Sequence, residues 1–535
     1  MIMTRGFSEV SMGLDHDDVG STKVSFEEAM ESTGFGKFNR LSLLFCGFML
    51  LGVILETLGF SFVIPACQCD LELDLTAKSV LPIIPFIAII LTSHIWGYLA
   101  DTKGRKKILA FSMAVGSFFS VLSSFSHDLV TFAALRFIAG LFNAGPSAIG
   151  YAYLGELNPK SQRDKMLTLG NASVAFGTAV VPMLAWAVLP FDFRFHMIYI
   201  DYRPWRLLIC LFALPYIICC LAITKLPSSP RFLHSIGDEG ETLEVLKYIY
   251  SVNTGRKPSE YPVTQLKIHP RSSEAKRPFF KDVWHQTAPL LGPKYRIYLL
   301  ITCLLQFGVF AASNGFLIWF PAILTNVLDH KDEGTDLGEN ICTMLGATAV
   351  PPTDNSSVIS TAIIAECNDT LNTGTFPISI ILSSVVSLIT VISAFTITCL
   401  GKRNMLVGFF GITATCCLVL HWITDTWFAI AVFATVQIGG TSIGLINAYV
   451  VEIFPTHVRA MAVCLTLMVG RVGSMFGTNM IGYLIHTVCP VSFFLFSGIL
   501  YFLAGLVFTL PASDDNKSKK LSSEKPPPYE ERTEL

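Results

Sequence analysis

Apolar runs of about twenty residues recur from one end of this chain to the other, separated by short polar stretches. A run of that length crosses a hydrocarbon core of roughly 30 Å as a helix. A helix is also the form that leaves no backbone group unsatisfied there. Twelve runs stand out, near 41–64, 79–100, 107–126, 129–154, 166–190 and 207–225, then near 297–325, 377–400, 404–423, 427–451, 460–487 and 490–511. The pattern predicts an all-α integral membrane protein of two six-helix halves. A polar tail occupies 1–40, the first six-helix bundle 41–225, a polar linker 226–295, and the second bundle 296–511. That bundle carries a long loop at 326–376, and a second tail spans 512–535.

One twelve-residue pattern, A-Y-x-x-E-x-x-P-x-x-x-R, occurs at 152–163 and again at 448–459. It pairs Glu156 with Glu452, Pro159 with Pro455 and Arg163 with Arg459, all 296 positions apart. Each copy closes one apolar run and precedes another. Internal repetition across a membrane points to a transporter built from equivalent halves.

Lys and Arg collect in alternate short loops. Lys103, Arg105, Lys106 and Lys107 follow the second run, Lys160, Arg163 and Lys165 the fourth, and Lys402 and Arg403 the eighth. The loops after runs 3, 9 and 11 carry none. The positive-inside rule then places both termini in the cytoplasm, with Arg194, Arg203 and Arg206 as exceptions on the outer face. The first 40 residues show no short apolar core before a cleavage pattern, so the first run serves as the insertion signal. The composition agrees: 52% of residues are hydrophobic and 15% charged, against about 25% charged in soluble domains. A net charge of −2 gives no footprint for nucleic acid.

Most of the fourteen cysteines lie in apolar runs and read as small hydrophobes. Cys342 and Cys367 share the long outer loop and are candidates for a disulfide, with Cys67 and Cys69 as competing partners. Asn355 and Asn368 in the same loop begin glycosylation acceptor patterns. Leu243, Leu246, Ile249 and Tyr250 recur at helical spacing in the linker, which predicts a short amphipathic helix lying on the bundle or the headgroups. The C-terminal tail carries Pro526-Pro527-Pro528-Tyr529, a P-P-x-Y ligand for WW domains, and ends Thr533-Glu534-Leu535, an end that PDZ domains bind.

Charges inside a span are costly unless paired or hydrated, which makes them candidates for function. Glu56 in span 1, Arg136 in span 4 and Arg471 in span 11 are such charges, with His94 in span 2 a weaker case. Glu56 is a candidate for binding a cation or carrying a proton. A buried Glu–Arg pair is the structural alternative.

The residues Gly97-Tyr98-Leu99-Ala100-Asp101-Thr102-Lys103-Gly104-Arg105-Lys106-Lys107 fit G-x-L-x-D-x-x-G-R-K/R-x. This resembles the signature of the major facilitator superfamily, in loop position as well as spacing. The resemblance implies a loop that braces one half against the other and tunes alternating access, with Gly97, Asp101, Gly104 and Arg105 as its parts. Glu156, Arg163, Glu452 and Arg459 lie at cytoplasmic span ends, where they can pair with these loops as a conformational latch.

Ala185-Trp186-Ala187-Val188-Leu189-Pro190, Trp205-Arg206, Pro227-Ser228-Ser229-Pro230-Arg231-Phe232 and Trp319-Phe320-Pro321 are similar to segments of the synaptic vesicle glycoprotein 2 family. The resemblance implies that Trp186 and Trp319 flank a central cavity with aromatic walls for a planar or cationic ligand, and with the intramembrane charges the expected lining is Glu56, Trp186, Trp319 and Arg471. The sequence departs from that family in three places. Val53 stands where a second span-1 acid is expected, Ser228 replaces the glutamate of P-E-S-P-R, and the 7–8 loop has only about fifty residues. The expected activity is secondary transport of a small organic solute, with proton or ion coupling through Glu56, in the plasma membrane or a vesicle. One alternative is a transporter-shaped scaffold acting through tail and loop partners. Another is a sugar porter, against which span 7 holds only Gln306 and Asn314 of the Q-Q-x-x-G-x-N pattern. No phosphate loop, nucleophile elbow or metal-ligand cluster is visible, so neither an enzyme nor a cofactor or metal site is expected. Deleting 526–535 separates the first two readings. A scaffold loses its function in a cell-based assay, whereas a transporter loses abundance or address and keeps its rate per molecule at the membrane.

Overall fold

The computed structural model describes residues 23–197, 200–267, 287–332, 342, 371–454 and 456–510. Twelve helices among them are long and apolar enough to cross a membrane. Spans 1 to 6 are Lys37–Cys67, Leu75–Lys103, Arg105–Ser123, Leu129–Glu156, Lys160–Val188 and Pro204–Lys225. Spans 7 to 12 are Arg296–Lys331, Thr375–Ser393, Lys402–Trp422, Thr426–Ile453, Met461–Ile485 and Thr487–Val507. Spans 11 and 12 run on as one helical stretch, Thr456–Val507, broken where Val488 leaves helical geometry (φ −142°, ψ 68°). The near face of the bundle is defined here as the side of the 2–3 and 8–9 turns and the linker helices. The far face lies opposite.

Span 7 crosses span 11 at a distance only glycine permits. A Cβ on Gly473 would stand 2.2 Å from the Phe307 carbonyl oxygen, and one on Gly477 2.0 Å from that of Ala311. Small residues substitute here for a hydrophobic driving force that lipid does not supply, because close backbone approach maximises dispersion contacts.

The two halves touch from the far ends to the middle of the bundle. Phe62 of span 1 stacks on Phe376 of span 8 with centroids 6.0 Å apart. Leu58, Phe86 and Ile318 form a buried cluster that draws on both halves. The Ser387 hydroxyl donates to the Ala175 carbonyl at 2.7 Å. This is a bundle closed at its far face.

The disulfide differs from the expected Cys342–Cys367 pair. Cys342 is bonded to Cys489, with Cα atoms 5.6 Å apart. Cys489 follows the Val488 break and so sits in the far-face turn between spans 11 and 12. Its place in an apolar run hid it, while Cys367 lies outside the described residues. Cys69 is also disulfide-bonded, whereas Cys67 is a buried free thiol. The acceptor asparagines Asn355 and Asn368, and the tail motifs with Pro526, Pro527, Tyr529, Thr533 and Leu535, lie outside the described residues as well.

A small layer covers the near face of the first half. The N-terminal helix, Phe26–Ser32, begins at a capping box made by Ser25 and Glu28. Two linker helices, Pro230–Ile236 and Glu239–Thr254, lie beside it. Phe26, Met30, Leu246, Tyr250, Tyr261 and Leu266 share a buried cluster, so the amphipathic face expected at 243–250 meets the N-terminal helix. The Tyr261 hydroxyl donates to the Ala29 carbonyl at 2.6 Å, and burial pushes that phenol up, which keeps it a donor. Asn253 ties the layer to the bundle, donating to Asn39 Oδ1 at 2.9 Å and accepting from the Phe38 amide at 3.0 Å.

Replacing Gly477 with Val forces spans 7 and 11 apart and is expected to cost about 1–3 kcal/mol, the usual range for overpacking. Gly444→Ala, where an added Cβ meets nothing within 4 Å, should leave the melting temperature of the detergent-purified protein unchanged.

Candidate functional site

Three intramembrane charges fall into two groups with different chemistry. Glu56 and Arg136 form an ion pair inside the first half, Nη1 to Oε2 at 3.0 Å, with side chains 0% and 5% exposed. Both carboxylate oxygens have further partners. The Ser120 hydroxyl donates to Oε1 at 2.7 Å and Asn143 Nδ2 to Oε2 at 3.3 Å. The guanidinium also donates to Ser120 Oγ at 2.7 Å and to the Glu56 carbonyl at 3.0 Å, and stands 4.8 Å from the Phe60 ring centroid. Gly116 makes room, since a Cβ there would stand 2.4 Å from Asn143 Oδ1. Arg136 Nε and Asn143 Oδ1 remain buried without a partner. Glu56 therefore does not line an open cavity in this conformation, as its resemblance-based role required. The same low-dielectric surroundings that make an unpaired carboxylate costly draw it onto Arg136.

Arg471 is held differently. From span 11 it reaches across to the other half, donating through Nη1 to Ser93 Oγ and through Nη2 to Ser147 Oγ, each at 2.9 Å. Ser93 belongs to span 2 beside His94, and Ser147 to span 4. Among the described residues no Asp or Glu forms an ion pair with Arg471, so a full positive charge between the halves is met by two neutral hydroxyls.

The tryptophans separate. Trp186 is 50% exposed near the far end of span 5. Trp319 is 7% exposed and donates its indole N–H to the Thr478 carbonyl at 2.9 Å. Its ring lies where a Cβ on Gly482 would fall, 2.4 Å from ring carbon Cζ2. Trp319 is thus a packing wedge between spans 7 and 11, not a cavity wall. Glycine at 482 supplies the notch that turned it inward.

The near-face signature residues pair within their own halves. Gly104 adopts φ +95°, a conformation that favours glycine, and turns span 2 into span 3. Arg105 then reaches Asp101 at 2.6 Å and Glu156 at 3.0 Å. The second half repeats this arrangement. Gly401 adopts φ +75°, and Lys402 reaches Glu452 at 2.6 Å. Arg163 donates through Nε to the Gly155 carbonyl at 3.0 Å, and Arg459 lies in the helix that starts at Thr456. The cross-half brace implied by the resemblance is absent from these contacts, because with the far face closed each glutamate finds its cation on the adjacent turn. Gly97 has open space around its Cα.

Sequence reasoning passed over Ser93, Ser120, Asn143 and Ser147. Asn143 was findable, since it lies seven residues after Arg136 and hence on the same helix face. The serines are small and common in spans, so nothing marked them.

The chain matches the sequence model of the Major Facilitator Superfamily over residues 44–355 and 353–533. It belongs to the major facilitator superfamily. It is 26% identical to human synaptic vesicle glycoprotein 2B over 328 residues, 57% of this chain and 48% of that protein. It is 25% identical to human synaptic vesicle glycoprotein 2A over 325 residues, 56% of this chain and 44% of that one. The matched region thus spans about half the length of these curated relatives. Among solved structures, the xylose transporter XylE from E. coli in a partially occluded inward-open conformation superposes with a TM-score of 0.62. That match has 14% identity and covers 90% of this chain and 99% of that one. A D-xylose-proton symporter gives 0.60 at 14% identity, covering 89% and 99%. At that identity the likeness concerns the fold alone. The chain is a multi-pass membrane protein of this superfamily.

Removing one member of the buried pair should destabilise strongly. Glu56→Ala leaves Arg136 buried and uncompensated and is expected to cost about 3–5 kcal/mol. Glu56→Leu combined with Arg136→Leu should recover most of that loss, as read by melting of the purified protein.

Proposed function

We propose that the protein moves a small organic anion across the membrane by alternating access, with Arg471 as its carboxylate-binding group. The observation that carries this reading is the Arg471 guanidinium, which sits between the halves with Ser93 and Ser147 as its hydrogen-bond partners among the described residues. Hydroxyls satisfy its geometry but leave its charge uncompensated, and a bidentate carboxylate supplies both. Glu56 serves as the coupling group in this proposal. Protonating it removes the charge that holds Arg136, which links a proton to a rearrangement of spans 1 and 4. The near face is cytoplasmic and the far face external or luminal. The basic turns around Lys103–Lys107 and Lys402–Arg403 favour this orientation, and so do the disulfide-bonded Cys342, Cys489 and Cys69, which belong on an oxidising side.

A second reading rests on the neutral side chains of the other half. Gln306 Nε2 donates to Asn447 Oδ1 at 2.8 Å, and Asn314 Nδ2 to Ser474 Oγ at 2.8 Å. Such amides suit hydroxyl groups and favour a hydroxylated solute. The two readings merge if the solute carries both groups.

The test is thermal stabilisation of the purified protein by a library of organic anions, amines, sugars and nucleosides. A ligand at 100 times its Kd stabilises by about 2.7 kcal/mol. Carboxylates are expected to raise the melting temperature of the wild type and of Trp186→Ala, and to leave Arg471→Ala unmoved. Stabilisation by neutral sugars alone moves the reading to a hydroxylated solute. No response to any class favours the scaffold alternative.

A further inference from the structure

The near face of the first half carries a chain of polar contacts that runs through six elements. Asp101 and Glu156 both hold Arg105. Glu156 also accepts from the Ser229 hydroxyl at 2.6 Å, and Ser229 caps the first linker helix by accepting from the Phe232 amide at 3.1 Å. The Arg105 guanidinium stands 5.5 Å from the centroid of the Phe232 ring. The next side chain of that helix, Arg231, reaches Glu27 of the N-terminal helix at 3.6 Å. Glu27 in turn reaches Arg163 at 3.5 Å, and Arg163 returns to span 4 at the Gly155 carbonyl. One turn further on, Glu31 caps the start of span 5, accepting from the Ser161 amide at 2.8 Å and the Ser161 hydroxyl at 2.7 Å.

Glu27 is the link that closes this ring. Where the related P-E-S-P-R segment carries a glutamate in the linker, this chain has Ser228. The N-terminal helix supplies a carboxylate to Arg231 from 204 residues away in the chain. Its two ion pairs differ in kind from what anchors the helix. The anchor is the buried cluster around Phe26, Met30 and Tyr261, whereas Glu27 is 37% exposed at its side chain and sits at the long end of ion-pair range. Contacts of that sort are weak and salt-sensitive, so they can break and re-form while the helix stays docked.

We propose that Glu27 is a positioning residue for alternating access: by bridging Arg163 and Arg231 it holds the near ends of spans 4 and 5 in the far-closed arrangement, and its release lets the near face close. The proposal rests on alternating access but not on the identity of the solute or on Arg471.

The experiment measures the distance between spin labels at Lys165 and Asn404, two exposed near-face positions on opposite halves. The labels are attached through a non-cysteine chemistry because the chain has 14 cysteines. Glu27→Gln is expected to raise the short-distance population about threefold over wild type, and Glu27→Arg further. Combining Glu27→Arg with Arg163→Glu should return it toward wild type. Raising NaCl from about 50 to about 500 mM, across which the Debye length shrinks severalfold, should move the wild type toward Glu27→Gln and leave that variant still. Tyr261→Phe removes the hydroxyl bond to Ala29 without touching charge and should leave the distribution unchanged. Two populations that Glu27→Gln does not shift, or an equal shift in Tyr261→Phe, overturn the positioning role and leave alternating access standing. A single fixed distance in every variant overturns both.

Discussion

The hydrocarbon interior offers a charge no water, and that constraint organises this molecule. A buried ion must find a partner, lose its charge or face a wet gap. Glu56 and Arg136 take the first course, bound to one another inside the first half and to Ser120 and Asn143 as well. Arg471 instead stands between the halves, where its hydrogen-bond partners among the described residues are the hydroxyls of Ser93 and Ser147. One group is a closed electrostatic unit within the first half. The other is an open charge at the seam where halves move, and this contrast assigns coupling to Glu56 and recognition to Arg471 in the proposed mechanism.

The same constraint explains the pseudo-symmetry of the near face. Each half turns on a positive-φ glycine, Gly104 or Gly401, and follows it with a cation that pairs with the repeated glutamate. A span end carrying a carboxylate near the membrane boundary is stabilised by an adjacent cation, and the turn supplies one at fixed distance. Because both copies solve the problem internally, neither half depends on the other for its local integrity. Halves that pair these carboxylates at their own near ends can move against one another without leaving those charges exposed to lipid. The first half adds Ser229, Arg231 and Glu27 to this unit, which makes the two near faces unequal.

Much of this was legible in the sequence, for physical reasons that also mark its limits. The spans were visible because about twenty apolar residues have few alternatives to a membrane helix, and the break between spans 11 and 12 fell at Val488, inside the gap expected between 487 and 490. Glu156 and Glu452 were marked by repetition, and Arg136 by its cost. Cys489 was invisible as a disulfide partner because an apolar run gives no hint that its end lies at an oxidised face. Trp319 was misplaced because nearness to a span end fixes depth but not rotation about the helix axis. The rotation depends on Gly482, 163 residues further along, whose missing side chain makes the notch. Ser93 and Ser147 matter only through Arg471, and a partner's identity is not written in a neutral side chain.

Glycine and serine thus do the positioning that charge alone cannot. Gly473 and Gly477 press span 11 against span 7, and this sets how far the second half can carry Arg471 toward the first. Arg471 extends from the same stretch of span 11, and its reach goes across the seam to spans 2 and 4. A solute carboxylate that binds Arg471 must then compete with Ser93 and Ser147 for the same two amino groups, and binding it loosens a contact between the halves. In the proposed mechanism, recognition and the release of one half from the other are thus the same event, the minimum needed for a solute to drive the change of access.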